Sequence, residues 1–235
     1  MDNSEIARQF VTLTTPHLAD ACVRANMPVR CGPAALQSVL THGRLAGRVV
    51  PAQHSGSVDV FLEAMNSTVR GDVLVVDNGG RSDEACVGDL VVHEAHGAGL
   101  GGVVIWGLNR DSADIAAIGL PVFSMGTVPT GPLGLRPRPD DALNWATVGE
   151  WPLSRGDLVF GDDDGVLFVP ADRIDEIFSL AQSIRDTERH QADLIRSGST
   201  LREQLHFDDY LTKRQSNPDL GLREHLRSIG GAIEV

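Results

Sequence analysis

The sequence has only three cysteines and a single lysine among its 235 residues. Cys22, Cys31 and Cys86 are scattered with no CxxC spacing, so the chain offers neither a disulfide framework nor a thiolate metal site. Such a chain is typical of a reducing cytosol, and we predict a cytoplasmic location. The lone Lys213 lies in a polar segment near the end, which makes it a poor candidate for Schiff-base chemistry.

Positive charge is also scarce, with 20 Lys and Arg against 32 Asp and Glu and a net charge of −12. A nucleic-acid or anionic-membrane surface needs excess positive charge, so we expect neither nucleic acid nor membrane as a partner. No apolar run approaches the roughly 20 residues of a membrane span, and the polar start MDNSEIARQF does not have the pattern of a signal peptide. An anionic substrate would therefore have to meet a local positive spot.

Several catalytic motifs are missing or incomplete. The sequence has no GxSxG elbow and no P-loop lysine motif, which removes the usual support for serine or nucleotide hydrolases. GAGLGG (97–102) matches GxGxxG, but it ends a predicted helix and precedes a strand, the reverse of the dinucleotide-binding context. His93 and His96 lack further zinc ligands, which favours a helix face. GDDDGV (161–166) lacks the distal glutamate of a calcium loop, which favours a hairpin turn.

Apolar strands and single helices alternate through the middle of the chain. The predicted strands are RLAGRVVPA (44–52), GDVLVVD (71–77), GGVVIWG (101–107) and LPVFSMG (120–126). Helices are predicted between them, at 58–69, 89–99 and 112–119. Strands that are apolar on both faces and separated by single helices indicate parallel βαβ units, so we predict an α/β fold.

The segments on either side follow other patterns. One or two short helices are predicted in residues 4–26. The Pro- and Gly-rich stretch TVPTGPLGLRPRP is predicted to be surface or interface loop. TVGEWPLSRGDLVFGDDDGVLFVP is predicted to form two or three short strands, with a hairpin between DLVF and VLFV.

A long helix is predicted from about residue 171 to 197, followed by a polar tail. We therefore divide the chain into a core at 1–172 and a C-terminal helix and tail at 173–235, within a single domain overall. The helix and tail could form oligomer contacts, and packing of the helix on its own core is an equally good interpretation.

Two loops follow the carboxyl ends of adjacent predicted strands, where open α/β sheets bind ligands. The first loop, NGGRSDEACVGD, leads into a helix that begins with Gly88, Asp89, Leu90 and Val91. The first N–H groups of a helix have no partner within it, and together with the helix dipole they can hold a carboxylate. The first loop therefore predicts a carboxylate-binding site.

The second loop brings Arg110 and Asp111 to the same edge of the sheet. Arg110 can bind a carboxylate through two hydrogen bonds, and Asp111 is a hard oxygen ligand for a divalent cation. The residues alone support a second interpretation equally well, in which Asp111 caps the next helix and Arg110 is a solvated loop residue.

Five motifs together resemble a known family in order and spacing: GDVLVVDNGG, GDLV, GGVVIWGLNRD, PVFSMG and GDLVFGDDDGVLFVP. The family is that of 4-hydroxy-4-methyl-2-oxoglutarate aldolases, and it includes the regulator of ribonuclease activity A (RraA) and proteins once named demethylmenaquinone methyltransferases. The resemblance covers roughly residues 40–172. It implies an α/β sandwich of the swivelling β/β/α type, assembled as a homotrimer or homohexamer with active sites at subunit interfaces.

The resemblance also implies roles for the two loops. The amides of residues 88–91 would bind the pyruvyl carboxylate of a 2-keto acid, and Arg110 would contact the keto acid. Asp111 would hold Mg²⁺ or Mn²⁺, largely through water. Asp89 stands where aldolase members carry an acidic residue near the metal's water.

Other positions are less well defined by the resemblance. Aldolase members take a further glutamate from a neighbour's C-terminal helix, for which Glu176 and Glu188 are candidates. Trp106 stands where many members have an aspartate, and Asn109 replaces a smaller or apolar residue. These departures leave the outer pocket, and with it the second half of the substrate, undefined.

The expected function is that of a metal-dependent, class II type lyase that forms pyruvate from a 4-hydroxy-2-oxo acid, with oxaloacetate decarboxylation through the same enolate. The alternative from another class is a non-catalytic regulator of a ribonuclease or other enzyme. The acidic side chains at Asp89 and Asp111 favour the enzyme, because a regulator does not need metal carboxylates. A methyltransferase is the weakest of the three.

Overall fold

The computed structural model describes residues 1–229. The helices are α1 (Asn3–Phe10), α2 (Thr15–Arg24), α3 (Asp59–Met65), α4 (Asp89–Gly97), α5 (Ser112–Ile118), α6 (Ile174–Arg196), α7 (Leu201–Gln204), α8 (Phe207–Ser216) and α9 (Leu222–Ile229). The strands are β1 (Arg30–Cys31), β2 (Gln37–Ser38), β3 (Leu45–Gln53), β4 (Val73–Asp77), β5 (Ala85–Val87), β6 (Gly102–Trp106), β7 (Leu108–Asn109), β8 (Val122–Ser124), β9 (Trp145–Val148), β10 (Trp151–Ser154), β11 (Asp157–Asp162) and β12 (Gly165–Pro170).

One mixed sheet forms the centre of the fold, with the strand order β1-β12-β11-β3-β4-β6-β8-β2. Strands β3, β4, β6 and β8 are parallel neighbours. Helices α3, α4 and α5 connect them, as parallel strands need a crossover between them. The predicted parallel βαβ units are therefore confirmed.

The predicted hairpin is confirmed as well, since β11 and β12 pair antiparallel beside β3. The carboxylate of Asp162, in the GDDDGV turn, accepts hydrogen bonds from the Thr15 backbone N–H and hydroxyl, both at 2.7 Å. This side chain links the hairpin to the start of α2, which is a structural role and not that of a calcium ligand.

Successive side chains along the central strands point to opposite faces of the sheet and pack into two different layers. In β4, Leu74 and Val76 pack with α3–α5, whereas Val73 and Val75 face a cluster that includes β9 and β10. A third hydrophobic cluster packs α1, α2 and α6 against β11 and β12. The fold is thus a β/β/α sandwich, as expected.

The C-terminal segment differs in one respect from its prediction. Helix α6 is confirmed, and its apolar face is buried on α1 and α2. Residues 201–229 are polar as predicted, but they form three short helices that the sequence did not predict and that bury Tyr210, His225 and Leu226. Each of these helices has 10 residues or fewer, which is shorter than the roughly 11–18 residues over which a helical period becomes clear. Among residues 1–229, no helix is long and apolar enough to cross a membrane.

We expect Phe160→Ala to destabilise the fold strongly. Phe160 is fully buried, and its ring centroid lies 5.2 Å from that of Phe10 and 5.8 Å from that of Phe178. Removing a core aromatic side chain costs about 3–5 kcal/mol through lost burial and the cavity left behind. Urea unfolding measures the change. Val11→Ala, at an exposed position, is the control and should stay close to the wild type; equal losses in both variants would contradict this packing.

Candidate active site

A small two-stranded sheet brings the two predicted loops together. Strand β5 pairs in parallel with β7. Beyond this pairing, the Arg110 backbone N–H donates a hydrogen bond to the Val87 carbonyl, at 3.0 Å. Gly88, which follows β5, therefore lies against Arg110 and Asp111, which follow β7. The sequence predicted this proximity, but it did not predict the two short strands that produce it.

Gly88 allows an unusually close approach between the loops. A Cβ atom at this position would lie 2.6 Å from Asp111 Oδ2 and 3.3 Å from Arg110 Nε. The backbone of Gly88 is extended, with φ −126°. A side chain is thus excluded by the space that the neighbouring aspartate and arginine occupy and not by backbone strain.

Gly88 is also the N-cap of α4. The first turn of this helix closes with a 3.3 Å hydrogen bond from the Val92 N–H to the Gly88 carbonyl. The N–H groups of Asp89, Leu90 and Val91 precede this bond, and helix geometry leaves them without i−4 partners. The helix dipole adds partial positive charge at the same place. The arrangement can accept a carboxylate, as the sequence indicated.

Asp111 lies where the capping interpretation places it, and the Arg110 side chain is 46% exposed, as the same interpretation expects. Asp111 occupies the N-cap position of α5, but its side chain makes no capping hydrogen bond. The carboxylate instead lies 3.3 Å from Arg110 Nε. The backbone is left-handed, at φ 58° and ψ 39°, a conformation that aspartate adopts more readily than most non-glycine residues.

Arg110 forms part of a cavity of about 260 Å³. The polar side of the cavity is formed by Arg110, the start of α4 and Glu94, and the remaining lining is apolar: Val58, Leu62, Ala85, Cys86, Val87 and Pro132. Asp111 adjoins this space through Gly88 and Arg110. An apolar cavity with a few convergent polar groups is the usual form of a small-molecule site.

Cys86 is the thiol at this cavity. Its sulfur lies 3.8 Å from the Leu108 carbonyl oxygen. Burial raises its pKa to about 12, so the thiol stays protonated at neutral pH. Because the thiolate is the nucleophilic form, Cys86 contributes to the wall of the cavity and not to covalent chemistry.

Buried polar residues that the sequence did not reveal lie next to the site. Glu84 is fully buried, and its carboxylate meets the Leu133 N–H and the guanidinium groups of Arg136 and Arg81. Burial alone would raise the pKa of Glu84, but these donors outweigh it and hold the pKa below its usual range. The one sequence signal for this residue is an acidic side chain directly before the apolar residues Ala85, Cys86 and Val87.

His54 and Asn78 form a second buried pair, with the His54 Nδ1 and Asn78 Oδ1 atoms 2.9 Å apart. The imidazole stacks on Phe61, with a centroid distance of 5.4 Å. Burial lowers the pKa of His54, so the ring is favoured in its neutral form. The pair lies at the carboxyl ends of β3 and β4 and supports the same edge of the sheet.

Other candidates from the sequence lie away from the cavity. Trp106 packs on the loop at Gly80, and Asn109 is buried between the Ser112 and Ser124 hydroxyls. Neither lines the 260 Å³ cavity. His93 and His96 are exposed on α4, as expected of a helix face. GAGLGG forms the end of α4 and the turn into β6.

The two glutamates proposed for a neighbouring site are on α6, and within this chain they have other partners. Glu176 pairs with Arg173, at 2.6 Å, and Glu188 lies 3.1 Å from His17 Nε2. Both carboxylates are about half exposed. Their supply to a neighbouring subunit therefore stays a prediction.

The fold and the site define a class of protein: a β/β/α sandwich in which an arginine–aspartate pair meets a helix N-terminus. The chain belongs to the RraA-like family, described as Aldolase/RraA, whose model matches residues 15–168.

Named relatives come from several organisms. A Dechloromonas aromatica protein, provisionally named a 4-hydroxy-4-methyl-2-oxoglutarate aldolase, is 30% identical over 158 residues, covering 67% of this chain and 96% of that protein. A Halalkalibacterium halodurans protein with the same provisional name is 32% identical over 128 residues, covering 54% of this chain and 60% of the relative. Protein DlpA of Legionella pneumophila is 32% identical over 156 residues, which are 66% of this chain but 24% of DlpA. The chain thus spans less than two thirds of the length of these last two relatives.

Solved structures share the fold. An uncharacterized protein from Pseudomonas syringae matches with a TM-score of 0.72 and 25% identity, over 85% of this chain and 96% of that one. Streptomyces coelicolor RraAS2, described as an unusual member of the RNase ES inhibitor RraA family, matches with a TM-score of 0.69 and 25% identity, over 79% and 94%. The predicted family and fold are confirmed by these comparisons.

We expect Gly88→Ala to displace the Asp111 carboxylate while the chain stays folded. The added methyl group would overlap Asp111 Oδ2, whereas the extended backbone of Gly88 accepts alanine without strain. Crystal structures of the wild type and the variant, with their melting temperatures, measure both effects. Gly97→Ala in the same helix is the control, since nothing lies within 4 Å of a Cβ there. An unmoved Asp111 in Gly88→Ala would refute the close approach.

Proposed function

We propose that this chain is a divalent-metal-dependent lyase of the class II aldolase type. It would cleave a 4-hydroxy-2-oxo acid, such as 4-hydroxy-4-methyl-2-oxoglutarate, to pyruvate. The observation that carries the proposal is the Asp111 carboxylate, which lies beside Arg110 and against Gly88 at the start of α4 and makes no capping hydrogen bond to its own helix. The provisional names of the relatives support the same activity.

The donor set fits a well-hydrated Mg²⁺ or Mn²⁺ ion. Asp111 is 38% exposed on its side chain, so its carboxylate can reach a hydrated ion, and Asp89 is half-buried nearby at the start of α4. Residues 1–229 contain no cluster of three or more His, Cys, Asp or Glu that could hold a metal. Mg²⁺ is commonly held by one or two carboxylates and otherwise keeps water or substrate oxygens, which suits this site. When bound, the cation would supply positive charge for the oxygens of the keto acid.

The protein groups then have separate tasks in substrate binding. The N–H groups of Asp89, Leu90 and Val91 would hold the carboxylate of the 2-keto acid. Arg110 would pair with its oxygens and stabilise the negative charge that grows on the enolate. The apolar wall, including Cys86, would limit access of water to the reacting carbons.

In the reaction, the bond between C3 and C4 breaks while the proton of the 4-hydroxyl group leaves. The electron pair of that bond stays with the pyruvate enolate, and C4 becomes the carbonyl carbon of the second product. Asp89 would receive the hydroxyl proton, directly or through water, and return a proton to C3 of the enolate. Decarboxylation of oxaloacetate forms the same enolate and CO₂, so one site could carry out both reactions.

The proposal includes the assembly that the family resemblance implied. The chain would form a homotrimer or homohexamer, and α6 of one subunit would supply Glu176 or Glu188 to the site of a neighbour. Both residues are half exposed and lie on the surface of the α-helical layer, so they are accessible to such a contact.

One rival deserves a parallel test, because RraAS2 is described as a member of an RNase inhibitor family. As a regulator, this chain would act by binding a ribonuclease or another enzyme and would not need the arginine–aspartate pair. Inhibition of a partner by a variant without Asp111 would then equal inhibition by the wild type.

We expect the purified chain with Mg²⁺ or Mn²⁺ to release pyruvate from 4-hydroxy-2-oxo acids or oxaloacetate, and a chelator to stop it. Arg110→Ala should lower kcat/KM by about 10²-fold or more, since it removes charge stabilisation in the transition state. A pyruvate-coupled assay measures both effects. Arg196→Ala, which removes an exposed arginine paired with Asp193 on α6, should leave the rate unchanged.

No pyruvate from any of these substrates with metal present would refute the lyase proposal. Near-normal turnover in Arg110→Ala would remove Arg110 from the reaction, even if the lyase activity itself were confirmed.

A further inference from the structure

Glu84 occupies an unusual position for a carboxylate. It has no exposed surface, although it lies only four residues before Gly88. Both oxygens are used: Oε2 accepts the Leu133 N–H at 2.9 Å, and Oε1 accepts Arg136 Nη1 at 3.1 Å, with Arg81 Nε at 3.3 Å. A buried charge that is paired and hydrogen-bonded on both oxygens acts as a fixed anchor, and loss of a partner leaves an uncompensated charge.

What Glu84 anchors is a long irregular segment. Residues 128–139 form neither helix nor strand. Backbone hydrogen bonds also hold this stretch, from the Val128 N–H to the Asn109 carbonyl at 3.1 Å, and from the Ala85 N–H to the Thr130 carbonyl and the Arg136 N–H to the Ser55 carbonyl, each at 2.8 Å. Together with Glu84 they attach the segment at four residues: Val128, Thr130, Leu133 and Arg136.

Apolar burial does not explain why this segment stays in place. Leu133 is 65% exposed and Leu135 is 80% exposed. Polar contacts therefore hold the segment, and among its ion pairs those to Glu84 are buried whereas those of Arg138 to Asp59 and Glu63 involve exposed carboxylates. A segment that is held by a few specific contacts is sensitive to the loss of one of them.

The anchored segment forms one side of the cavity. Pro132 lines the cavity opposite the start of α4. Gly131 lies directly against Arg110, since a Cβ there would be 2.7 Å from Arg110 Nη1. The guanidinium group thus lies between Gly88 on one side and Gly131 on the other, with 46% of the side chain exposed.

We propose that Glu84 is a positioning residue, which fastens residues 130–136 over the cavity and so fixes the orientation of Arg110. The inference rests on the proposed lyase function for its catalytic consequence, but the anchoring itself does not depend on that function. Glu84 does not touch the cavity, and it acts through Leu133, Arg136 and the segment between them.

The first test measures the anchoring in Glu84→Gln, which keeps the size of the side chain but removes the charge. Exchange of the hydrogen-bonded Leu133 and Arg136 amides, within residues 128–139, should speed up roughly tenfold or more, and exchange in β4 and β6 should stay unchanged. Glu63→Gln is the matched control, because Glu63 pairs with Arg138 of the same segment, at 2.7 Å, but is half exposed. It should leave the exchange close to that of the wild type.

The second test separates positioning from a general effect on stability. Glu84→Gln should lower kcat/KM for pyruvate release by roughly tenfold in the wild type, but by less than about threefold in the Arg110→Ala background, since coupled residues are non-additive. A residue that only stabilises the fold would give the same loss in both backgrounds. Arg136→Met repeats the comparison from the other side of the ion pair, should Glu84→Gln fold poorly.

The two tests address the anchoring of residues 128–139 and the positioning of Arg110 separately. Unchanged exchange in residues 128–139 would overturn the anchoring, and equal losses in both backgrounds would overturn positioning through Arg110. If the wild type releases no pyruvate, the proposed function falls, while hydrogen exchange and a crystal structure of Glu84→Gln still decide the anchoring. An unchanged Arg110 side chain in that structure would then refute the inference.

Discussion

The hydrogen bond from the Arg110 N–H to the Val87 carbonyl joins the two loops on which the site depends. It extends the pairing of β5 with β7, so that Gly88 and Asp111 meet at the next position. A shift of this register by one residue would turn alternate side chains to the opposite face. The charged pair would then no longer lie beside the first turn of α4. Gly88 completes the arrangement, because a larger residue would fill the space that the aspartate occupies.

The layers of the fold explain why polar groups gather at this edge. Within β3, β4 and β6 both faces are packed, on one side by α3–α5 and on the other by the cluster around β9 and β10. Polar side chains that must be near the core are therefore placed where these strands end. His54 is favoured there as a neutral ring, because burial lowers its pKa, whereas the donors around Glu84 keep that carboxylate charged. The site is thus surrounded by polar groups whose charge states are fixed by the packing.

Much of this architecture could be predicted from local pattern, because continuous apolar strands separated by single helices leave few alternatives. Strands β5 and β7 could not, since three and two residues are too short to show any periodicity. Arg110 and Asp111 were found because strand-end loops converge, and the family resemblance supplied their separate roles. Only the side-chain geometry shows that the Asp111 carboxylate makes no capping hydrogen bond to α5. The link from Glu84 to Arg136 crosses 52 residues of sequence, and no local signal predicts which residues meet over that distance.

The enolate of pyruvate is the species that the arginine, the start of α4 and a cation held by Asp111 would together stabilise. Its formation can be measured without any aldol substrate, through exchange of the methyl protons of pyruvate for deuterium. Proton NMR of pyruvate in D₂O with Mg²⁺ and the wild-type chain should show loss of the methyl signal much faster than with Mg²⁺ alone, and Asp111→Asn should abolish the difference. Exchange in the presence of the chain that is no faster than with Mg²⁺ alone would contradict a site built to stabilise the enolate.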